Sequence, residues 1–378
     1  MKTIYENCSP RNNGLDSLRA LAIITVFLHN FYYANPSLNF GIITSIGWVG
    51  VDLFFTLSGY LIGNQLFKYL LIKKSIPIAI FLIRRILRTV PNYLIIVLGY
   101  IFFTSLRDNP TLPPLWQLLT FTTNLNLKSG TSLSYTWSLC VEEQFYLSLP
   151  FIVLILFRLK SSLAMLGGLL CIIGGGIYLR EYLWNIYIGY NLASKALTSQ
   201  QILSYKTHIY FFTLCRLDEL IIGVIIAFIK NFHNNIWAVL TKYGNFMAYL
   251  GILSTGATLY IILNYPYFLY TIMFEYLLLG ISFGLLIISC LSPNSILYSM
   301  KIPFVHSIAL ISYAIYLIEK PCNKIIMGFI RQYDITTNNW VSFIICTCSS
   351  LFVAYLLYMT IEVNFLKLRD KKILFEKP

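Results

Sequence analysis

Apolar runs of about twenty residues alternate along this chain with short polar and charged connections, a spacing that suits helices crossing about 30 Å of hydrocarbon. Ten such runs stand out, at residues 15–34, 47–67, 84–105, 138–157, 162–180, 209–230, 245–264, 270–290, 304–319 and 340–361. The third opens on a basic first turn, and the ninth is short because Glu319, Lys320 and Pro321 close it. Short strands of alternating polarity, which an outer-membrane barrel would need, are not part of the pattern. Two connections, 106–136 and 181–208, are long, polar and aromatic. Their Tyr and Trp suit a membrane interface, and stacking on sugar rings is the alternative use. No internal repeat of the inverted-repeat transporter kind is visible. The pattern predicts an all-α integral membrane protein of about ten transmembrane helices, with residues 1–378 forming a single membrane domain.

Composition agrees: 57% of the 378 residues are hydrophobic, 11% are charged, and mean hydropathy is +0.70. A soluble domain carries about a quarter charged residues. The net charge of +13 raises the question of nucleic acid, but the placement of the charges points to lipid instead. Lys68, Lys73, Lys74, Arg84, Arg85, Arg88, Arg158, Lys160, Lys230, Lys242, Lys301, Lys367 and Arg369 fall on one side of the predicted spans, together with Lys2, Arg11, Arg19, Lys371, Lys372 and Lys377. The other side has the smaller set Arg107, Lys128, Arg180, Lys195, Lys206, Lys320, Lys324 and Arg331. By the positive-inside rule both termini are expected in the cytoplasm. The stretch with Lys2, Glu6 and Arg11 lacks the form of a cleaved signal peptide. Most of the eight Cys, from Cys8 to Cys348, lie in apolar segments and read as small packed hydrophobes. Cys346 and Cys348 have neither the spacing nor the nearby His of a zinc site, so no metal is expected.

Within this apolar chain a few ionisable groups share a layer. His29 lies ten residues past Arg19, about 15 Å along a helix. Asp52, the adjacent Glu142 and Glu143, and Arg216 with Asp218 fall at comparable depth in their own spans. Ionised groups inside a bilayer are costly and usually face a cavity or one another. A His oriented by a carboxylate is a credible general base. His208, His233 and His306 lie near span ends and read as structural. On the opposite side, Arg84, Arg85 and Arg88 are three and four residues apart and share a helix face. Guanidinium forks at a helix N-terminus suit phosphate, and a snorkelling positive-inside cap is the plainer alternative. On the residues alone, a membrane-embedded transferase using a phosphorylated donor and a proton-coupled transporter both fit.

Four motifs then form a resemblance. Gly14-Leu-Asp-Ser-Leu-Arg19 through His29, Gly47-Trp-Val-Gly-Val-Asp52 through Ser58-Gly59, Arg84-Arg85-Ile-Leu-Arg88-Thr-Val-Pro91 and Trp137-Ser138-Leu-Cys-Val-Glu142-Glu143-Gln-Phe-Tyr resemble membrane-bound acyltransferase family 3. Weaker echoes follow at Arg216 to Gly223, Ile311 to Leu317 and Ile361 to Arg369. The resemblance implies a ten-helix domain of a bacterial cytoplasmic (inner) membrane, here without the family's frequent hydrolase-like appendage. It implies acyl-CoA as co-substrate, with acetyl-CoA the expected donor, no tightly bound cofactor, and a carbohydrate or glycolipid acceptor. Arg84, Arg85, Arg88 and Arg19 would meet the CoA phosphates. His29 would be the base or the acyl carrier, Asp52 or Glu142 would orient it, and Glu143 would help build the pocket. Trp137, Ser138, Arg216 and Asp218 would line the substrate pocket.

The chain departs from the family pattern at three places. The family places Arg and His eleven apart, whereas Arg19 and His29 are ten apart, about 80° around a regular helix. Either α-helical geometry breaks between them or Arg19 does not point at His29. Glu319 stands where the family often has His, and Asn364 where Pro is expected. An inactive homologue is therefore a further alternative.

Overall fold

The computed structural model describes residues 12–35, 38–127, 130–189, 197–332 and 339–373. Lys2, Glu6, Cys8, Arg11, Lys128, Lys195 and Lys377 lie outside the described residues, as do the side chains of Arg331, Lys371 and Lys372. The described residues are all-helical, with no strand among them. In chain order the α-helices are α1 (Asn13–Ala34), α2 (Ile42–Ile46), α3 (Val49–Lys73), α4 (Ile78–Phe102), α5 (Leu115–Leu119), α6 (Trp137–Arg158), α7 (Ser162–Tyr187) and α8 (Ser199–Tyr205). They continue as α9 (Asp218–Phe232), α10 (Asn234–Lys242), α11 (Gly244–Asn264), α12 (Leu269–Leu291), α13 (Ile296–Ser299), α14 (Val305–Gln332), α15 (Asn339–Leu357) and α16 (Val363–Ile373).

Five segments, Ser134–Arg158, Ser162–Tyr187, Gly244–Asn264, Leu269–Leu291 and Asn339–Asp370, are both long and apolar enough to cross a membrane. A sixth follows if α9 and α10, bent by 109° at their junction, count as one span. The remaining long helices α1, α3, α4 and α14 carry ionisable residues within their length, among them Arg19, His29, Asp52, Arg85, Arg88, Glu319 and Lys320, which lowers their apolarity.

Small residues set the tightest packing. A Cβ on Gly59 of α3 would stand 1.9 Å from the Leu220 carbonyl oxygen, and one on Gly223 of α9 would stand 2.3 Å from the Thr56 carbonyl oxygen. α3 and α9 therefore touch backbone to backbone, the close approach that glycine permits between membrane helices. Gly47 and Gly50 do the same for α1: a Cβ on Gly47 would meet Thr25 O at 2.3 Å and His29 Cβ at 2.7 Å. The position of His29 is thus set by backbone contact with the segment leading into α3.

Several boundaries differ from the apolar runs, each for a local reason. α14 continues through Pro321 to Gln332, where a short ninth span was expected. A proline leaves the carbonyl four residues earlier without its helical donor; here Tyr135 Oη donates to that carbonyl, Leu317 O, at 2.9 Å. α4 begins at Ile78, so the three arginines sit in its second and third turns and the helix N-terminus is not theirs. At its other end Arg107 donates to Tyr100 O (2.7 Å) and Ile101 O (2.8 Å), closing the helix. The run from 209 becomes α-helical only at Asp218, after a π-turn at Lys206–Tyr210 and a 3₁₀ turn at Thr213–Cys215. Asn124 holds this break open, donating to Phe211 O at 3.0 Å and to Thr213 Oγ1 at 2.7 Å. α7 runs on to Tyr187, which places Arg180 inside a helix and not in an outer connection.

Candidate active site

Two cavities lie along the axes of α1 and α14. The first is narrow, about 110 Å³, and is lined by Arg19, Arg85, Arg88, Ser58, Glu142 and Tyr146 among others. The second holds about 1080 Å³ and is lined by His29, Asn30, Trp137, Lys320, Lys324 and several aromatic rings. α1 contributes Arg19 to the first and His29 to the second; α14 contributes Ser312, Tyr313 and Tyr316 to the first and Lys320, Asn323 and Lys324 to the second. Both helices therefore run from one cavity toward the other in the same sense. α1 is α-helical from Asn13 to Ala34, so the ten-residue interval is resolved in favour of divergence: Arg19 and His29 face different cavities.

His29 is anchored through Nδ1, which lies 2.6 Å from the backbone carbonyl oxygen of Thr44. A carbonyl oxygen only accepts, so Nδ1 carries the proton and Nε2 is the basic nitrogen. The orienting role expected of Asp52 or Glu142 falls instead to Thr44. Tyr33 meets the imidazole edge-on, with ring centroids 4.8 Å apart. The next residue, Asn30, donates to Glu319 Oε1, tying α1 to α14 beside His29. Glu319, at a family His position, is in this chain the partner of Asn30, and Lys320 follows it within electrostatic reach of His29.

Asp52 is fully buried and paired with Arg216, whose Nη2 also lies 3.6 Å from Glu219 Oε1. The Arg216 guanidinium stacks 3.7 Å from the centroid of Tyr276. Alongside, the buried Arg180 pairs with Asp218 at 2.6 Å and donates to Cys215 O (2.7 Å) and Met273 O (2.6 Å). Arg216 and Asp218, expected in the pocket lining, are absent from the lining of both cavities and join α3, α7, α9 and α12 instead. Arg180 was missed as a partner because its position at the very end of a predicted span made it look like a loop charge. Its carboxylate, Asp218, belongs to a later helix and leaves no signal in the sequence around Arg180.

In the narrow cavity Ser58 donates to Glu142 Oε1 at 2.8 Å and so accepts from Tyr146 Oη, also at 2.8 Å. Arg85 donates to Gln65 Oε1 at 2.5 Å and lies over the Tyr146 ring. Glu143, expected to help build the pocket, is absent from the lining of both cavities and stands within electrostatic reach of Arg85 and Arg88. Arg84 turns away to donate to Tyr69 Oη, and is not part of the lining. Ser58 and Tyr146 were not singled out from sequence; their signal was their place in the motifs carrying Asp52 and Glu142.

The two cavities meet at the start of α6. Trp137 lines the larger and Ser138 the smaller. Tyr316 Oη is 2.7 Å from Ser138 Oγ and donates to Tyr135 O at 2.5 Å, making a polar partition between them. Gln144 braces this region from behind, donating to Phe121 O (2.7 Å) and accepting from Thr213 Oγ1 at 2.5 Å.

Other histidines have structural partners: His208 stacks flat on Tyr187 at 3.8 Å, and His306 Nδ1 is 3.2 Å from Asp16 Oδ2. Among the described residues no cluster of His, Cys, Asp or Glu could hold a metal ion, and Cys140, Cys215, Cys290 and Cys346 are free and buried.

The comparisons with known proteins fit this geometry. Residues 12–359 match the family model described as an acyltransferase domain, Acyl_transf_3. The chain is 28% identical over 246 residues to the O-acetyltransferase OatA of Staphylococcus aureus strain NCTC 8325 / PS 47, covering 60% of this chain and 36% of that protein. The match to OatA of strain MRSA252 has the same values. The chain thus spans about a third of the length of these relatives. No solved structure matches it. With the match extending across all four motifs and both cavities, the chain belongs to the membrane acyltransferase family 3.

Proposed function

We propose that this protein is an integral membrane O-acyltransferase that moves an acyl group, acetyl in the simplest case, from acyl-CoA to a hydroxyl of a cell-surface glycan or glycolipid. Ten membrane crossings with both termini in the cytoplasm of a bacterial inner membrane would place the arginine cavity on the cytosolic side, where CoA is available. Arg85 and Arg88, with Arg19 across the cavity, would hold the CoA phosphates, and Glu142, fixed by Ser58, would keep Arg88 in place. The thioester end would cross the layer of Ser138 and Tyr316 to reach His29.

The observation that carries the proposal is the Nδ1 bond of His29 to Thr44 O. With the Nδ1 proton given to Thr44 O, Nε2 is the nitrogen that would accept a proton, and His29 lines a cavity large enough for a sugar. In the reaction, Nε2 takes the acceptor hydroxyl proton as the oxygen attacks the thioester carbonyl. The tetrahedral intermediate then collapses, the C–S bond breaks, and the imidazolium returns the proton to the departing CoA thiolate. The test is acetyl-CoA-dependent CoA release by purified protein with a crude glycan acceptor, comparing wild type with His29→Ala. Release that vanishes in a folded His29→Ala protein is the expected result. Equal release in the two proteins would remove His29 from the chemistry.

A further inference from the structure

The larger cavity holds more positive charge than proton transfer at His29 requires. Lys320 and Lys324 are one turn apart on α14 and both line it, as residues at that spacing share a helix face. Among the described residues neither ammonium lies within ion-pair distance of a carboxylate. Glu319, its neighbour in the chain, and Asp108 across the cavity offset part of the Lys320 charge. The other acid of the lining, Glu275, accepts from Tyr205 Oη at 3.1 Å. Lys320 Nζ is further placed 5.1 Å from the centroid of the Tyr135 ring. Among the described residues that leaves the Lys324 end of the stripe without a carboxylate partner, with the exposed Lys206 adding a third ammonium to the same lining.

The surrounding surface is aromatic: Tyr33, Trp48, Trp137, Tyr205 and Tyr210 face the same space. Flat rings with one polar tip pack against the apolar faces of pyranose rings, and ammonium groups in a half-enclosed site select carboxylate or phosphate. Asn30 and Glu319 join α1 to α14, so the anion site and His29 are held on two fastened helices. We infer that the acceptor is an anionic glycan, whose acylated hydroxyl meets His29 while a neighbouring carboxylate or phosphate is held by Lys320 and Lys324. This inference rests on the acyl-transfer reading above and deepens it.

The test uses the full chain in lipid nanodiscs with acetyl-CoA and three acceptor sets: uronic-acid oligosaccharides, the same oligosaccharides with their carboxyls reduced to alcohols, and phosphate-bearing oligosaccharides. At least one anionic set is expected to exceed the neutral set about tenfold in kcat/KM, and which one separates carboxylate from phosphate recognition. Lys324→Gln should lower the anionic-to-neutral ratio about tenfold through acceptor KM, and Lys324→Arg should restore most of it. Lys301→Gln, exposed and outside both cavities, should keep the wild-type ratio. Equal turnover of neutral and anionic acceptors overturns the inference and leaves acyl transfer standing. So does a Lys324→Gln effect confined to the KM for acetyl-CoA, because the lysines would then bind donor. Absence of CoA release with every acceptor overturns the transfer reading, and this inference with it.

Discussion

The two cavities are built partly by the same helices and yet differ in kind. The narrow one gathers guanidinium groups around a hydrogen-bonded Tyr146–Ser58–Glu142 chain. The wide one gathers an imidazole, lysines and a wall of Tyr and Trp. Forked, permanently charged donors fit phosphates presented in a fixed geometry, whereas ammonium groups among rings fit a bulkier and more variable ligand. The contrast teaches where the chain concentrates its chemistry. α1 and α14 each change character once along their length, so a single helix lines both cavities in turn. The polarity is tolerated because these helices face cavities and each other. An ionised residue facing lipid near mid-membrane would cost about 2.5–3.5 kcal/mol.

The largest expected effect that sharpens this contrast comes from His29. His29→Ala should lower kcat by about 10²–10⁴, the range for losing a general base, with acyl-CoA binding by calorimetry retained. Lost binding would mean that the cavities are not separate in function. Next is Asp52→Ala, which removes the nearer of two carboxylates from the Arg216 guanidinium in a fully buried site and leaves only Glu219 at 3.6 Å. Breaking a buried pair from one side costs about 3–5 kcal/mol, so thermal unfolding in detergent should fall steeply. A stable Asp52→Ala protein that has lost turnover would instead return Asp52 to the chemistry. Third, Arg88→Ala should raise the KM for acyl-CoA about 10–100-fold, as expected for one charge-assisted contact of about 1.5–3 kcal/mol. Acceptor KM should stay near the wild-type value. A shift in acceptor KM alone would exchange the assignments of the two cavities.

Much of this arrangement was legible in the chain, and the illegible part has a common cause. The apolar runs located the long helices, and the motifs brought His29, Arg85, Arg88 and Glu142 to cavity walls. What failed were judgements about partners distant in sequence. Asp52 was expected at His29, but Arg216 claims it, and the imidazole is held by a backbone carbonyl that no side-chain motif announces. Arg180 was counted as a loop charge because nothing near it signals Asp218. Pro321 was taken as a stop because its rescue comes from Tyr135, nearly two hundred residues earlier. Hydropathy and spacing report on the helix a residue belongs to, and these errors all concern which neighbouring helix supplies the missing hydrogen bond or charge.

The smallest effect tests the wall between the cavities. Tyr316 Oη sits between Ser138 Oγ and Tyr135 O, and Tyr135 in turn caps Leu317 O beside Pro321. Tyr316→Phe keeps the ring and removes the link from α14 to the start of α6. One net hydrogen bond is worth about 0.5–1.5 kcal/mol, so unfolding should shift by a few degrees while both KM values change little. If the wall also holds the thioester back from water, the variant should show more CoA release without acceptor than wild type does. A Tyr316→Phe protein with unchanged acceptor-free release but weakened acyl-CoA binding would assign Tyr316 to the donor cavity alone, and the partition would lose its separate role.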